Sequence, residues 1–296
     1  MPDYGHEMRG GAFITPSARD AAGTVRLATT AEDAGLDVVA FQDHPYQPAF
    51  LDAWTLLSWV GACTWRVHLM PDVANLPLRQ PAVLARSAAS LDLLTGGRVE
   101  LGLGAGAFWD AIVAMGGPRL SPGDAVDALG EAIDVIRELW DPTRRLVRAG
   151  GEHHHLDGAK PGPAPAHRVP IWIGAVRPRM LRLTGRLGDG WVPSSAYVPP
   201  SDLAAPNGVI DDAARAAGRD PADVRRLYNI GGDFSRGAGF LRGPAPVWAE
   251  QLAEVALTHG MSTFIVAADT ADDIRRFGHE VMPDLRERVA AERATR

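Results

Sequence analysis

The chain has 296 residues, of which 46% are hydrophobic and 22% charged, with a formal net charge of -6. That length and apolar content suit one large domain or two small ones. The acidic balance argues against nucleic acid or an anionic membrane as a partner. Cys63 is the one cysteine, so no internal disulfide forms; in its Ala/Trp/Val context it reads as a small buried hydrophobe. The start, MPDYGHEMRGG, lacks the apolar run of a signal peptide, and no uncharged apolar run approaches roughly 18 residues. A cytoplasmic protein without a membrane span is expected.

Taken in chain order, β-rich runs occupy residues 11–14, 38–42, 67–73, 99–104, 171–174, 190–193, 224–230 and 263–267. Several are apolar throughout, as parallel strands covered on both faces require. Helical stretches fill the gaps. Ser17 with Asp20 reads as a capping box, and Gly35 stops that helix. A helix starts near Pro81 and ends at Thr95-Gly96-Gly97. The next is the clearest: Ser121 caps it, Pro122 opens it, Asp124 complements its dipole, and Val126, Leu129, Ile133, Ile136 and Trp140 form its apolar stripe. The residues between 150 and 167, rich in Gly, His and Pro, read as a long surface connection. Further helices are expected over 179–187, 211–217, 248–259 and 272–289, with Pro283 kinking or breaking the last.

This alternation predicts a single α/β domain over residues 1–296, a (β/α)₈ TIM barrel. A doubly wound sheet is the second choice, but it wants a Gly-rich fingerprint after the first strand, where Thr15-Pro16-Ser17 stands instead.

Barrel chemistry sits just beyond the strands. After the second comes Asp43-His44-Pro45: a His that titrates near neutrality, with an Asp able to orient it, or simply a polar turn. The third ends in Met70-Pro71-Asp72-Val73-Ala74-Asn75, where Pro and Asp inside an apolar run suggest a bulge. The fourth runs into Gly102-Leu103-Gly104-Ala105-Gly106-Ala107, whose glycines let a ring or phosphate approach the backbone. Phe108 and Trp109 follow as candidate pocket walls, with Phe13 on the first strand as a third. The fifth gives Gly174-Ala175-Val176-Arg177 ahead of a helix, a natural anion site. The glycine-hinged loop 232–240 suits a lid. His153-His154-His155 has the look of a metal cluster, but consecutive His cannot all face one ion within a regular element, and no metal is expected.

Three stretches carry a family resemblance. They are Ala31-Glu32-Asp33-Ala34-Gly35-Leu36-Asp37-Val38-Val39 leading to Asp43-His44; Leu91 to Gly106; and Pro170-Ile171-Trp172-Ile173-Gly174-Ala175 followed by Leu187-Gly188-Asp189-Gly190-Trp191. Together they resemble the luciferase-like superfamily of FMN-dependent monooxygenases and enzymes using the deazaflavin F420.

The resemblance implies a tricyclic ring in the barrel mouth, supported by a non-prolyl cis peptide at Asp72-Val73. It implies that Asn75 meets the ring's polar edge, that Gly104 and Gly106 flank it, and that Gly174 to Arg177 hold the cofactor phosphate. His44, with Asp43, matches the position of a functional His. In one place the chain departs: deazaflavin-dependent sugar-phosphate dehydrogenases carry an acidic residue where Ala107 stands, which disfavours that substrate class and leaves Asp110 as a possible substitute.

The function expected first is F420-dependent hydride transfer to or from a small organic substrate. The alternative is an FMN monooxygenase fed by a flavin reductase. A non-catalytic luciferase-like subunit comes third. By family habit a homodimer is expected.

Overall fold

Val38–Phe41 is apolar at all four positions, and all four side chains are buried. Such a segment needs cover on both faces, which a strand between a packed barrel interior and an outer ring of helices receives. The computed structural model, which describes residues 3–235 and 237–295, has eight strands in such a barrel wall. They are β1 (Arg9–Ile14), β2 (Val38–Phe41), β3 (His68–Pro71), β4 (Leu101–Gly104), β5 (Ile171–Ile173), β6 (Gly190–Trp191), β7 (Arg225–Ile230) and β8 (Thr263–Ala267). β1–β3 and β4–β8 pair in parallel with their neighbours in sequence, and β8 returns to β1, with Arg9 opposite Thr263.

Closure falls between β3 and β4. Leu69 bridges to Val99, its amide donating to the Arg98 carbonyl at 2.7 Å. Two residues past β3, Ala74–Asn75 pairs with Leu103 and Gly104. The expected (β/α)₈ barrel is therefore the observed one. The expected run 67–73 is interrupted at Asp72-Val73, whose peptide bond is cis.

Side chains alternate across the barrel wall. Val38, Ala40, Met70, Trp172, Val192, Leu227 and Ile265 form one buried cluster, with Phe13 and Val73 partly buried against it. Val39, Phe41, Leu69, Leu101, Leu103, Ile171 and Ile173 belong to the other, larger cluster, shared with the helices. The first cluster is the lumen. By the two-residue period of a strand, Asn229 follows Leu227 onto the lumen side, and Asp72 follows Met70.

The helices are α1 (Ala21–Asp33), α2 (Ala53–Cys63), α3 (Pro81–Thr95), α4 (Trp109–Ala114), α5 (Pro122–Trp140), α6 (Pro178–Leu187), α7 (Ala204–Ala216), α8 (Ala245–His259), α9 (Ala271–Arg276) and α10 (Met282–Ala294). α5 starts as expected: Ser121 accepts the Asp124 amide, and Val126, Leu129, Ile133 and Ile136 are buried.

Several expectations need correction. Asp20, not Ser17, caps α1, accepting the Gly23 amide at 2.8 Å; Ser17 instead bridges to Phe50. Cys63 is exposed rather than buried, because it ends α2 on the solvent side while Val60 and Gly61 face inward. The connection after α5 contains an antiparallel hairpin, Val147–Gly150 with His155–Ala159. α7 begins at Ala204 and α8 at Ala245, ahead of the expected starts. Pro283 does not break the last helix: α9 leads through a π-helical turn, Phe277–Val281, into α10, and Pro283 lies in the first turn of α10, where its missing N–H is tolerated. Among the described residues no helix is long and apolar enough to cross a membrane.

Candidate functional site

The loops after β2 and β3 are tied together by one buried carboxylate. Asp43, 1% exposed, accepts the Asn75 amide at 3.0 Å and is gripped by Arg79 through Nε at 3.0 Å and a terminal nitrogen at 2.7 Å. Arg79 also reaches Asp52 at 2.5 Å. Asp43 thus orders the backbone at Asn75; its carboxylate oxygens are directed to Asn75 and Arg79.

His44 follows and is half-buried in an aromatic cluster. Its ring stacks on Tyr46, centroids 5.4 Å apart, and meets Phe108 edge-on at 5.7 Å. Burial pushes the His44 pKa below the ordinary histidine value, and the neighbouring Asp43 charge offsets this only in part. The ring is therefore held neutral near pH 7, a state that can accept a proton. Burial and Asp43 push the Tyr46 hydroxyl up, while the Asn75 side chain beside it pulls the other way.

The floor of the mouth is polar. The Asn229 side chain lies close to Asp72, although β3 and β7 stand four strands apart, on opposite sides of the barrel. The pair therefore crosses the lumen. Asp72 is 9% exposed, and burial pushes its carboxyl up to about 7, Asn229 offsetting part of the shift. Asp72 Oδ2, Asn75 Oδ1 and Asn229 Oδ1 are buried with no partner among the described residues. Unpartnered buried acceptors are uncommon in folded proteins and call for a ligand with donors, or water.

The glycines of β4 serve the bulge. A Cβ on Gly104 would stand 2.6 Å from Val73 Cγ2, and one on Gly102 only 2.1 Å from the Pro71 carbonyl oxygen. Gly174 lies across from the same Val73 methyl, its would-be Cβ 3.3 Å away. Val73 is thus seated between Gly104 and Gly174. Gly106, at φ +102, lets Pro77 and Trp109 close over it. Trp109 opens α4 and is partly buried, whereas Phe108 is 60% exposed beside His44. Phe13 packs on the lumen cluster at the top of β1.

Beyond β5 the chain passes Gly174 into α6. The Gly174 amide donates to Leu103 at 3.2 Å, and the Ala175 carbonyl accepts Trp191 Nε1 at 2.9 Å. The amides of Ala175, Val176 and Arg177 have no acceptor among the described residues, and Arg177, exposed, caps α6 without a partner for its side chain. Free amides and a cation ahead of a ten-residue helix suit an anion.

Elsewhere, Asp110 is exposed and paired with Arg119, turned to solvent rather than into the mouth. In the His-rich hairpin turn, the amides of Glu152, His153 and His154 converge on the Glu131 carboxylate. The loop after β7 includes Arg236, outside the described residues; its Phe234 stacks on Trp248 at 4.2 Å.

Sequence reasoning missed Arg79, Tyr46 and Asn229. Asn229 had a signal: it stands two residues beyond Leu227 near the end of its strand, on the same face. Arg79 had none, since it acts through Asp43, distant in the chain; Tyr46 lies two residues from His44 in a turn, where no periodicity marks it.

The model of the luciferase-like monooxygenase family matches residues 6–231. The chain belongs to the luciferase-like monooxygenase family. It is accordingly an oxidoreductase of the luciferase-like kind. A relative in Amycolatopsis mediterranei (strain U-32), an F420-dependent glucose-6-phosphate dehydrogenase, is 30% identical over 84% of this chain and 76% of its own length. A protein of the same description in Kineococcus radiotolerans is 37% identical over 69% of this chain and 61% of its own length. Five-eighths or so of several such relatives is thus what this luciferase-like chain spans. An F420-dependent hydroxymycolic acid dehydrogenase of Mycobacterium tuberculosis is 31% identical over 78% of this chain and 68% of its own length. Among solved structures, an F420-dependent secondary alcohol dehydrogenase superposes with a TM-score of 0.83 at 21% identity, covering 95% of this chain and 99% of that one. At that identity the likeness speaks for the luciferase-like barrel alone.

Proposed function

We propose that this luciferase-like chain binds F420 in the barrel mouth and transfers hydride between it and a small alcohol or carbonyl compound. The observation that carries the reading is the polar floor beneath His44. Three buried oxygens without partners, on Asp72, Asn75 and Asn229, offer acceptors to a ring N–H and to water beside it. The F420-dependent relatives favour the deazaflavin over FMN.

Asp72, Val73 and Asn75 would meet the ring, with Gly104 and Gly106 at its side. Ala175, Val176 and Arg177, with Gly174 at the turn, would hold the cofactor's phosphate. When bound, the deazaflavin supplies the hydride donor or acceptor. The protein does the rest. His44, neutral through burial, takes the proton released from a substrate hydroxyl or, once charged, returns it to a carbonyl oxygen. Asp43 acts at one remove, ordering Asn75 and tempering the burial of His44. Phe13, Phe108 and Trp109 wall the substrate side and exclude water.

Sugar phosphates are not the favoured substrates, despite the names of several relatives. Ala107 offers no carboxylate, and Asp110 is engaged by Arg119 at the surface. We further propose a cytoplasmic homodimer formed through α2, the turn after it and α3, where Trp59, Trp65, Val83 and Leu94 are all more than 60% exposed.

The test is a panel of secondary alcohols and ketones with oxidised or reduced F420, followed by its absorbance. Turnover of members of the panel but not of glucose 6-phosphate supports the reading. Oxygen consumption that depends on reduced FMN and a flavin reductase would replace it with the monooxygenase.

A further inference from the structure

The barrel mouth has a chamber beside it. A cavity of about 600 Å³ lies behind the loop after β3. Its walls include Leu76 and Pro77 from that loop, Ala105 after β4, Met115 and Leu120 from the segment after α4, and Ala128 of α5. Some of these walls are shared with the mouth. Leu76-Pro77 follows Asn75 directly, and Ala105 stands between Gly104 and Gly106. Pro77 also closes over Gly106 beside Trp109, so it stands between the mouth and the cavity.

α4 runs from one to the other. Trp109 opens this helix at the mouth, and Met115 caps it in the cavity wall. Ile112 is its one buried residue, whereas Phe108, Val113 and Met115 are exposed. Large apolar side chains left in water along one short segment mark a surface that an apolar ligand covers. Phe108, at the near end, meets His44.

The far wall is polar. Glu131 gathers the amides of Glu152, His153 and His154 and so fixes the hairpin turn. That turn presents His154, whose Nε2 is buried with no partner among the described residues. Burial pushes the His154 pKa down, and the Glu131 charge offsets part of this. Among the described residues no Arg or Lys lines the cavity, and Glu152 is its one carboxylate. A phosphate or a carboxylate therefore finds no counter-charge there. A neutral chain carrying one hydrogen-bonding group meets both the apolar walls and His154.

We propose that this cavity is a substrate subsite. It takes the apolar chain of a secondary alcohol or ketone whose reacting carbon lies by His44, and His154 pairs with a second oxygen function on that chain. This deepens the function proposed above by narrowing its substrate class, and it rests on that reading.

The experiment is calorimetric titration of the full chain with secondary alcohols of three to ten carbons, beside kcat/KM for the same series with oxidised F420. Both should rise by about fourfold for each methylene that enters the cavity. A second hydroxyl near the far end of the longer members should add about two- to tenfold. Met115→Asp, a change at an exposed position, should flatten the chain-length slope. His154→Phe should keep the slope and lose the gain from the second hydroxyl. Each readout is a ratio within one protein, so a general loss of activity does not imitate it.

A flat slope in the unmodified protein, an equal slope in Met115→Asp, or a hydroxyl gain that survives His154→Phe would overturn this inference and leave the proposed function standing. So would a Met115→Asp variant that loses F420 affinity while its slope survives, which gives the cavity to the cofactor. Chain-length-dependent binding in a protein that does not take F420 would retain the subsite and remove the F420 chemistry.

Discussion

Arg79 closes on Asp43 through two nitrogens, at 3.0 and 2.7 Å, and so binds the loop after β3 to the loop after β2. The same carboxylate holds the Asn75 amide. Removing the guanidinium leaves a charge that is 1% exposed without its counter-ion. Arg79→Met should cost about 3–5 kcal/mol in urea denaturation, as breaking a buried pair does. Cofactor affinity should fall with it, because Asn75 loses its fixed position. A loss under about 1 kcal/mol would mean the pair contributes no more than an exposed one.

In the proposed function His44 transfers a proton, and its ring packs in the aromatic cluster with Tyr46 and Phe108. His44→Gln should lower turnover by about 10²–10⁴-fold while changing cofactor affinity only a few-fold. Its depressed pKa also has a sign. The unfolded chain takes up the proton more readily than the folded one, so the stability tied to neutral His44 is present above the ordinary histidine pKa and lost as pH falls through it. The acid limb of the turnover profile should accordingly lie below the ordinary histidine value of 6.5 and disappear in the variant. A profile whose acid limb is unchanged in His44→Gln assigns that limb to another group.

Much of this was legible in the sequence. The apolar runs that became β2, β4 and β8 were plain, because burial on both faces leaves an unbroken pattern. The cis peptide was expected at Asp72-Val73 from resemblance, with Pro and Asp inside an apolar run as the physical hint, and it stands there. Other features were not legible for stateable reasons. The glycines of β4 read as room for a ligand; Gly102 and Gly104 in fact make room for Pro71 and Val73, a contact between strands that no local pattern encodes. The hairpin Val147–Gly150 with His155–Ala159 was hidden because its strands are partly exposed and carry Gly and His in place of alternating apolar residues. Cys63 was misjudged because composition around a residue does not reveal which side of a helix end it occupies.

The seating of Val73 gives a test of the bulge. Gly104→Ala places a methyl 2.6 Å from Val73 Cγ2, and overpacking of this kind costs about 1–3 kcal/mol. Trimming the neighbour should relieve it. The double variant Gly104→Ala/Val73→Ala should be more stable than the sum of the two single changes predicts, a coupling read from a double-mutant cycle. Strict additivity would show that the strand moves instead of the side chain.

The central claim is that the polar floor and the turn before α6 together receive F420. The most direct measurement is a parallel titration of the apoprotein with F420 and with FMN, followed by mass spectrometry of the complex. The account predicts one F420 per chain, tighter binding than FMN, and a loss of affinity in Arg177→Ala, whose guanidinium is free to meet the phosphate. Retention of FMN in preference to F420, or binding of neither, would contradict it.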